Sequence, residues 1–279
     1  MARHVQEDRV RILGERAQPE PAATGATADP VAESSLAARR GRRRRVWITL
    51  GVAAVLLLGL NVYAAYELAS EQNANPVLLR PSGIPGNIST SLVNLMELSP
   101  LAKLQAPGFT FTDQRGRTMS LASLRGKVVV LEFMDPHCTD ICPIVSQEFV
   151  DAYHELGAQK NKIVFAAINV NQYHASVADM AAYSAQHQLN TVPAWHFFTG
   201  PLAALKTAWR DYDIQVEAPS PNADIIHTSA VYFIDSRGAE RFLATPMADH
   251  TANGTAYLPP SQIAAWAGGV VRLAEDLAR

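Results

Sequence analysis

A short, nearly continuous apolar run that leads into two cysteines limits the folds open to this chain more than any other feature. Residues 127–133 read KVVVLEF, which is typical of a strand covered on both faces of its sheet. Cys138 and Cys142 follow, and a segment with helical periodicity continues to about Lys160. A buried strand that feeds directly into a helix indicates an α/β fold, in which helices cover a sheet.

The pattern of the remaining segments extends this interpretation over residues 101–279. Residues 109–113 alternate as a half-buried strand does, and a turn at 114–116 before Met119 predicts a hairpin. Further strands are predicted at residues 162–168, 195–198, 230–235 and 240–243, and helices at 177–188 and 261–277. Strands that alternate with helices, followed by a hairpin and a final helix, predict an α/β sandwich with a central mixed sheet.

The N-terminal part of the chain predicts a membrane anchor. Residues 1–45 are poor in large apolar residues, which predicts a disordered tail, and they end in a basic cluster from Arg39 to Arg45. Residues 46–66 carry no charge and are long enough to cross a hydrocarbon core of ~30 Å as one helix. Because basic residues stay on the cytoplasmic side, we expect a single-pass protein of the cell membrane, with a cytoplasmic N-terminus and an extracytoplasmic domain.

A cleaved secretory signal is the alternative to this anchor. Small residues at Ala64, Ala65 and Ala69 allow cleavage, but the preceding tail and the apolar core are both longer than is usual for such signals. Residues 67–100, which contain Asn, Pro, Gly and Ser, are predicted to form a linker. Within it, an apolar patch around residues 92–98 favours a short helix against the domain.

The charge balance argues against one class of partner. The chain has 24 Lys and Arg and 26 Asp and Glu, for a net charge of -2. The basic cluster stands directly before the apolar run, so membrane topology explains it. We therefore expect the bilayer to be a partner and nucleic acid not to be one.

The two cysteines of the chain, Cys138 and Cys142, indicate chemistry rather than a structural cross-link, because a loop this short removes little entropy from the unfolded chain. The start of a helix has unpaired N–H groups and a positive dipole end, which stabilise thiolates. The four-residue spacing predicts that both sulfurs lie on one face of a helical turn. Two soft ligands form half of a copper or zinc site. A redox pair and two small buried hydrophobes are the alternatives.

Several segments together resemble the Sco/SenC family of copper-binding proteins that assemble cytochrome oxidase. CTDICP at residues 138–143 resembles the family's CPDxCP motif, and residues 106–113 with Gly116 resemble its opening APxFxLxDxxG. Three later segments, 124–131, 195–200 and 226–235, resemble its next strand, its Trp-x-x-Leu-Thr-Gly step and its Asp-His-Ser segment. The resemblance covers about residues 100–279 and implies a thioredoxin-like sandwich.

The resemblance also implies a metal site and a function. The family binds one copper ion through two cysteines and one histidine, and the matching positions are Cys138, Cys142 and His227. Cu(I) favours thiolates and accepts imidazole, and either Cu(I) or Cu(II) is compatible with this set. We therefore expect a metallochaperone that delivers copper to the copper-site subunit of cytochrome c oxidase, and not an enzyme.

Two other functions compete with copper delivery. A thiol–disulfide oxidoreductase would use the same cysteines through a mixed disulfide. Such enzymes place a proline opposite the cysteines, and the corresponding position near Ser229 has none. A peroxidase shares the opening APxF pattern, but the residues before Cys138 lack the threonine that it needs. Both alternatives are therefore weaker than the copper hypothesis.

Three residues near the cysteines have secondary roles in this hypothesis. His137 and His250 are alternative ligands, and Asp140 either orients a ligand or favours the start of the helix. The chain also departs from the family pattern, with Pro136 and Thr139 around Cys138. Residues 168–173 read INVNQY in place of a Val-Asp-Pro-Glu-Arg-Asp stretch, which bears on partner docking more than on the metal site.

Overall fold

The computed structural model describes residues 56–63 and 80–279. Residues 56–63 form a helix, α1, with exposed side chains. Within these described ranges, no helix combines the length and the apolar character needed to cross a membrane. The predicted tail at residues 1–45, most of the predicted span at 46–66 and the start of the predicted linker lie outside the described residues.

A six-stranded mixed sheet lies at the centre of residues 80–279, in the spatial order β1-β10-β9-β4-β5-β6. Its strands are β1 (Ser99–Pro100), β4 (Val128–Met134), β5 (Ile163–Asn169), β6 (Trp195–Phe198), β9 (Val231–Ile234) and β10 (Glu240–Ala244). β4, β5 and β6 are parallel, whereas β9 and β10 run antiparallel to their neighbours. The mixed sheet and its crossover helices form the predicted thioredoxin-like α/β sandwich.

Three two-stranded ribbons and five helices complete the described domain. The ribbons pair β2 with β3, β7 with β8, and β11 with β12. Their strands are β2 (Thr110–Thr112), β3 (Thr118–Ser120), β7 (Val216–Glu217), β8 (Ile226–His227), β11 (Asp249–His250) and β12 (Ala256–Tyr257). The helices are α2 (Thr90–Leu95), α3 (Ile141–Glu155), α4 (Val177–Gln186), α5 (Leu202–Asp211) and α6 (Pro260–Leu277).

Every residue of β4 is buried because alternate side chains enter two separate apolar layers. Val130 packs in one layer with Phe149 of α3 and Trp266 of α6. Leu131 packs in the other layer with Phe111 of β2. The run KVVVLEF therefore forms a strand covered on both sides, as its composition predicts.

The folded domain begins before the predicted boundary at residue 101. Ile88, Leu92 and Met96 are buried in the same layer as Trp266. β1 pairs with β10, so the backbone of this segment also joins the sheet. The described part of the predicted linker, residues 80–100, thus belongs to the fold, because its apolar patch covers a face of α6.

Two helices differ from the sequence-based expectation. α3 ends at Glu155 and not near Lys160, because Leu156 adopts an extended backbone (ψ 129°) and buries its side chain. α5 was not predicted. Its inner face buries Leu205 and Trp209 against the second apolar layer. These two residues are four positions apart, which places them on one side of a helix.

Candidate metal centre

Cys138 lies in the loop after β4, outside any helix. Cys142 is the second residue of α3. The prediction that both sulfurs share one face of a helical turn is therefore wrong. The backbone N–H of Cys138 donates to the Asp135 carbonyl at 3.1 Å, which closes a turn before the helix begins. Both cysteines are free thiols, Cys138 half-buried and Cys142 buried. Pro143 follows in the first helical turn, where its missing backbone N–H has no partner within the helix to lose.

The two thiols perturb each other's ionisation even though only Cys142 lies in the helix. The Cys142 thiol donates a hydrogen bond to Cys138, and chiefly for this reason the pKa of Cys138 falls to about 7. Backbone N–H groups near the helix start act in the same direction, whereas burial opposes them. The same contact, together with burial, raises the pKa of Cys142. The pair therefore has one accessible thiol that ionises readily and one protected thiol that does not.

Asp135 holds the cysteine loop in place. Its Oδ1 accepts the His137 backbone N–H at 2.8 Å and the Asn171 side-chain N–H at 2.9 Å. Asn171 lies after β5, and its own Oδ1 accepts the backbone N–H groups of Tyr173 and His174. This buried network connects the loops that follow two adjacent parallel strands.

His227 lies on β8, which pairs with β7 and is not part of the six-stranded sheet. Its Nδ1 lies 3.0 Å from the Thr228 carbonyl, and a carbonyl only accepts, so Nδ1 carries the proton. Burial lowers the pKa of His227, which favours the neutral ring. Its Nε2 is therefore left with a lone pair, the usual state of a metal-binding imidazole whose other nitrogen is anchored.

Cys138 and His227 line one cavity of about 780 Å³. The cavity also includes Asp135, Asp140 and His250. The ligand atoms of Cys138, Cys142 and His227 do not all lie within 4.8 Å of one another. One other group among the described residues does meet this distance criterion. The structure thus brings the two sulfurs together and opens Cys138 and His227 to a shared space, without closing a three-ligand site.

The group that meets this criterion consists of His137, His174 and Asp179. The His137 and His174 rings stack with centroids 3.6 Å apart, and His137 Nε2 lies 3.9 Å from Asp179 Oδ1. His137 was considered only as an alternative ligand beside the cysteines, His174 was interpreted as a solvated or structural histidine, and Asp179 was not singled out. His174 and Asp179 lie close together in the chain, but His137 comes from a separate segment, so no spacing in the sequence indicates the whole group.

The two other residues considered near the cysteines contact each other. Nε2 of His250 lies 2.8 Å from Oδ1 of Asp140, and both side chains are exposed. This contact ties the ribbon β11–β12 to the residue before α3. Asp140 makes no side-chain cap to the helix backbone, so its role is to hold this ribbon at the mouth of the cavity.

Sequence analysis also missed Glu132, which lies in β4 and is buried. Its Oε2 has no hydrogen-bond partner, and burial raises its pKa well above the ordinary value. Its charge would raise the pKa of Cys142, so a neutral Glu132 favours an ionised sulfur pair above it. The sequence does carry a signal for Glu132, because an ionisable residue stands there inside an otherwise apolar strand.

The mixed sheet with a dithiol at the end of its central strand defines a thioredoxin-like protein with a CxxxC site. The chain also matches the model of the SCO1/SenC family over residues 99–254, which is more than half of its length. The chain therefore belongs to the SCO1/SenC family, as the sequence motifs indicate.

Individual relatives agree with this assignment. The SCO1 protein homolog of Bacillus subtilis is 26% identical over 132 residues, which cover 47% of this chain and 68% of the relative. A SCO1/SenC family lipoprotein from Bacillus anthracis has a similar fold, with a TM-score of 0.52, 21% identity, and coverage of 65% of this chain and 98% of that one.

Copper-bound structures of Sco proteins are also among the similar structures. Bradyrhizobium japonicum ScoI with copper bound is 22% identical, with a TM-score of 0.46, and the match covers 60% of this chain and 99% of that one.

Proposed function

We propose that this chain is a membrane-anchored, extracytoplasmic metallochaperone that binds copper through Cys138, Cys142 and His227. Its acceptor would be the copper-site subunit of a respiratory cytochrome c oxidase. The observation that carries the proposal is the shared cavity, which the thiol of lowered pKa and the anchored imidazole both line. Thiolate and neutral imidazole are the donors that Cu(I) prefers.

An incompletely closed site suits a carrier whose cargo must leave again. A single copper ion would first bind the two adjacent sulfurs, and the His227 ring would then move towards it with its short ribbon. A partner's thiolate could enter from the open cavity before the original ligands dissociate. Storage of a permanent cofactor would instead favour a closed ligand shell, as structural metal sites have.

Anchoring and location are proposed from the N-terminal sequence. The uncharged residues 46–66 and the basic cluster before them support one membrane helix with the domain outside the cytoplasm. Within that arrangement, residues 1–45 are a cytoplasmic tail and residues 67–79 connect helix and domain. Protease added outside sealed spheroplasts should cleave the domain, whereas the tail should be cleaved only after lysis.

A copper titration of the reduced full chain tests the metal site. The chain should bind a single Cu(I) ion, the variant with both Cys138→Ala and Cys142→Ala should lose binding, and His227→Ala should weaken binding at least about tenfold. His154→Ala is the matched control, because that histidine is exposed at the end of α3 and should leave binding unchanged. Unaltered copper affinity in the double cysteine variant contradicts the proposal.

A thiol–disulfide oxidoreductase acting on the cysteines of a copper-site partner is the second candidate. The contrast between a Cys138 of pKa about 7 and a Cys142 of raised pKa favours it, because exchange begins with an accessible thiolate. His227→Ala separates the two functions. An oxidoreductase should reduce a disulfide substrate as fast with this substitution as without it, whereas a copper carrier should lose copper affinity.

A further inference from the structure

We propose that His137, His174 and Asp179 form a second metal site, which binds a divalent transition metal ion such as Zn(II) without the cysteines. The nitrogen and oxygen ligand atoms of these residues all lie within 4.8 Å of one another. The residues come from the loop after β4, the loop after β5 and the first turn of α4. The site is independent of the proposed copper function, because it contains no sulfur.

The backbones that carry both histidines are fixed by one network. The N–H of His137 donates to Asp135 at 2.8 Å, and the N–H of His174 donates to Asn171 at 3.1 Å. Asn171 donates in turn to Asp135, and the carbonyl of His174 accepts from Asn169 at 3.1 Å. Asp135, Asn169 and Asn171 are buried, so the two rings project from a rigid base.

The carboxylate of Asp179 is oriented by its own helix. Its Oδ2 accepts the backbone N–H of Ser176 at 3.0 Å and the Ser176 hydroxyl at 2.7 Å, as part of a capping box. Its Oδ1 is turned towards His137, with 3.9 Å to Nε2. One oxygen thus holds the carboxylate in place, as an outer-shell partner does, and the other faces the two imidazoles.

Two imidazoles and one carboxylate form a ligand set that Zn(II) commonly takes, with a fourth position open to water. Ligands in such a tetrahedron lie ~3.3 Å apart, given metal–ligand distances of about 2.0–2.1 Å. To reach this geometry, the ligand atoms must move by on the order of 1 Å, and rotations of the three side chains provide this movement. The stacked rings must turn so that their lone pairs converge, and His137 is exposed enough to do so.

The site also has an access route of its own. A cavity of about 270 Å³ is lined by His137, Asp179 and Cys138 but not by His227. Since His137 and Cys138 line both this cavity and the larger one, the two proposed sites adjoin each other at one short loop. Their ligands do not overlap, so each site can be removed by substitution without touching the ligands of the other.

A Zn(II) titration of the full chain carrying Cys138→Ser and Cys142→Ser tests the proposal by calorimetry. This background should bind Zn(II), and adding His174→Ala or Asp179→Asn should weaken the affinity at least about tenfold. Adding His154→Ala should change nothing, because that histidine is remote from the group. Equal Zn(II) affinity with and without His174→Ala overturns the proposal. Because the cysteines are absent, failure of the copper function leaves these outcomes unaffected.

A second measurement avoids any loss of folding in the cysteine background. Ring-nitrogen NMR of the otherwise unaltered chain follows each imidazole as Zn(II) is added alone. At saturation, the ring nitrogens of His137 and His174 should shift, while those of His154 should not. If Zn(II) at saturation leaves both rings unshifted, the second site does not exist.

Discussion

Asn171 donates a hydrogen bond to Asp135 at 2.9 Å, and this contact joins the loop that precedes Cys138 to the loop that follows β5. Both side chains are buried. The conformation of the cysteine loop therefore depends on a residue in a different segment. Asn171 lies in the stretch where the chain departs from the family pattern, so this departure has a structural role in addition to any effect on partner docking.

Asn171→Ala should lower the free energy of unfolding by about 1–3 kcal/mol, because it removes one donor to the buried Asp135 and leaves two part-buried N–H groups of the β5 loop without an acceptor. Urea unfolding at neutral pH measures the loss. Asn161→Ala is the control, since Asn161 is exposed and its removal should change stability by less than about 0.5 kcal/mol. Equal losses in the two variants would contradict the role of the network.

The reactivity of Cys138 should depend on a donor at position 142. Alkylation requires the thiolate, so its rate should rise with pH to a midpoint near 7. Cys142→Ser keeps an O–H donor and should leave the midpoint low, whereas Cys142→Ala removes the donor and should raise it. The rate of iodoacetamide labelling against pH measures both midpoints, and Cys138 is then the single thiol of each variant. Identical midpoints would contradict the hydrogen bond.

Asp113 should contribute to stability in a pH-dependent way. Burial raises its pKa, but hydrogen bonds from Arg117, His196 and the Arg115 backbone outweigh burial and lower the pKa from 3.8 to about 2. A lowered pKa in the folded state stabilises the protein above the unfolded pKa near 4, and the contribution of about 2 kcal/mol is lost as pH falls from 4 to 2.

Urea unfolding of Asp113→Asn beside the unaltered chain checks this pH dependence. The unaltered chain should be more stable at pH 7, and the difference should shrink as pH falls from 4 towards 2. A difference that is constant over this range would show that the ionised carboxylate is not its source.

Leu92→Ala should show that residues 80–100 are part of the folded domain. Leu92 is buried against Gly269 of α6, and truncation of a buried leucine costs about 2–5 kcal/mol. Leu104→Ala is the matched control because 67% of Leu104 is exposed. Thermal unfolding of the two variants should separate them clearly, and similar melting temperatures would mean that α2 contributes little.

The central sheet was predictable because its signal is local. β4 and β5 are apolar except for Glu132 and Asn169, and their bounds agree with the sequence prediction to within a residue or so. The inner face of α5, with Leu205 and Trp209 one turn apart, carried a usable signal of the same kind. The cysteine pair was also visible locally, from its spacing and its position after a buried strand.

The surroundings of the cysteines were not predictable in the same way. The contact between Asp135 and Asn171, and the grouping of His137 with His174, depend on the loops that the parallel order of β4 and β5 places side by side. Polar residues in loops have no periodicity, so their partners follow from strand order and not from spacing. The position of Cys138 outside α3 depends likewise on a backbone turn that two bonds to Asp135 define.

The parallel arrangement of β4, β5 and β6 has an evolutionary consequence. The proposed ligands stand on loops beyond the ends of these strands, on the first turns of helices or, for His227, on the ribbon strand β8, and none of them lies in the six-stranded sheet. Single amino-acid substitutions outside the sheet can therefore change the ligand residues while the sheet itself stays the same. Proteins with this arrangement of strands are thus free to differ in which ions they take up.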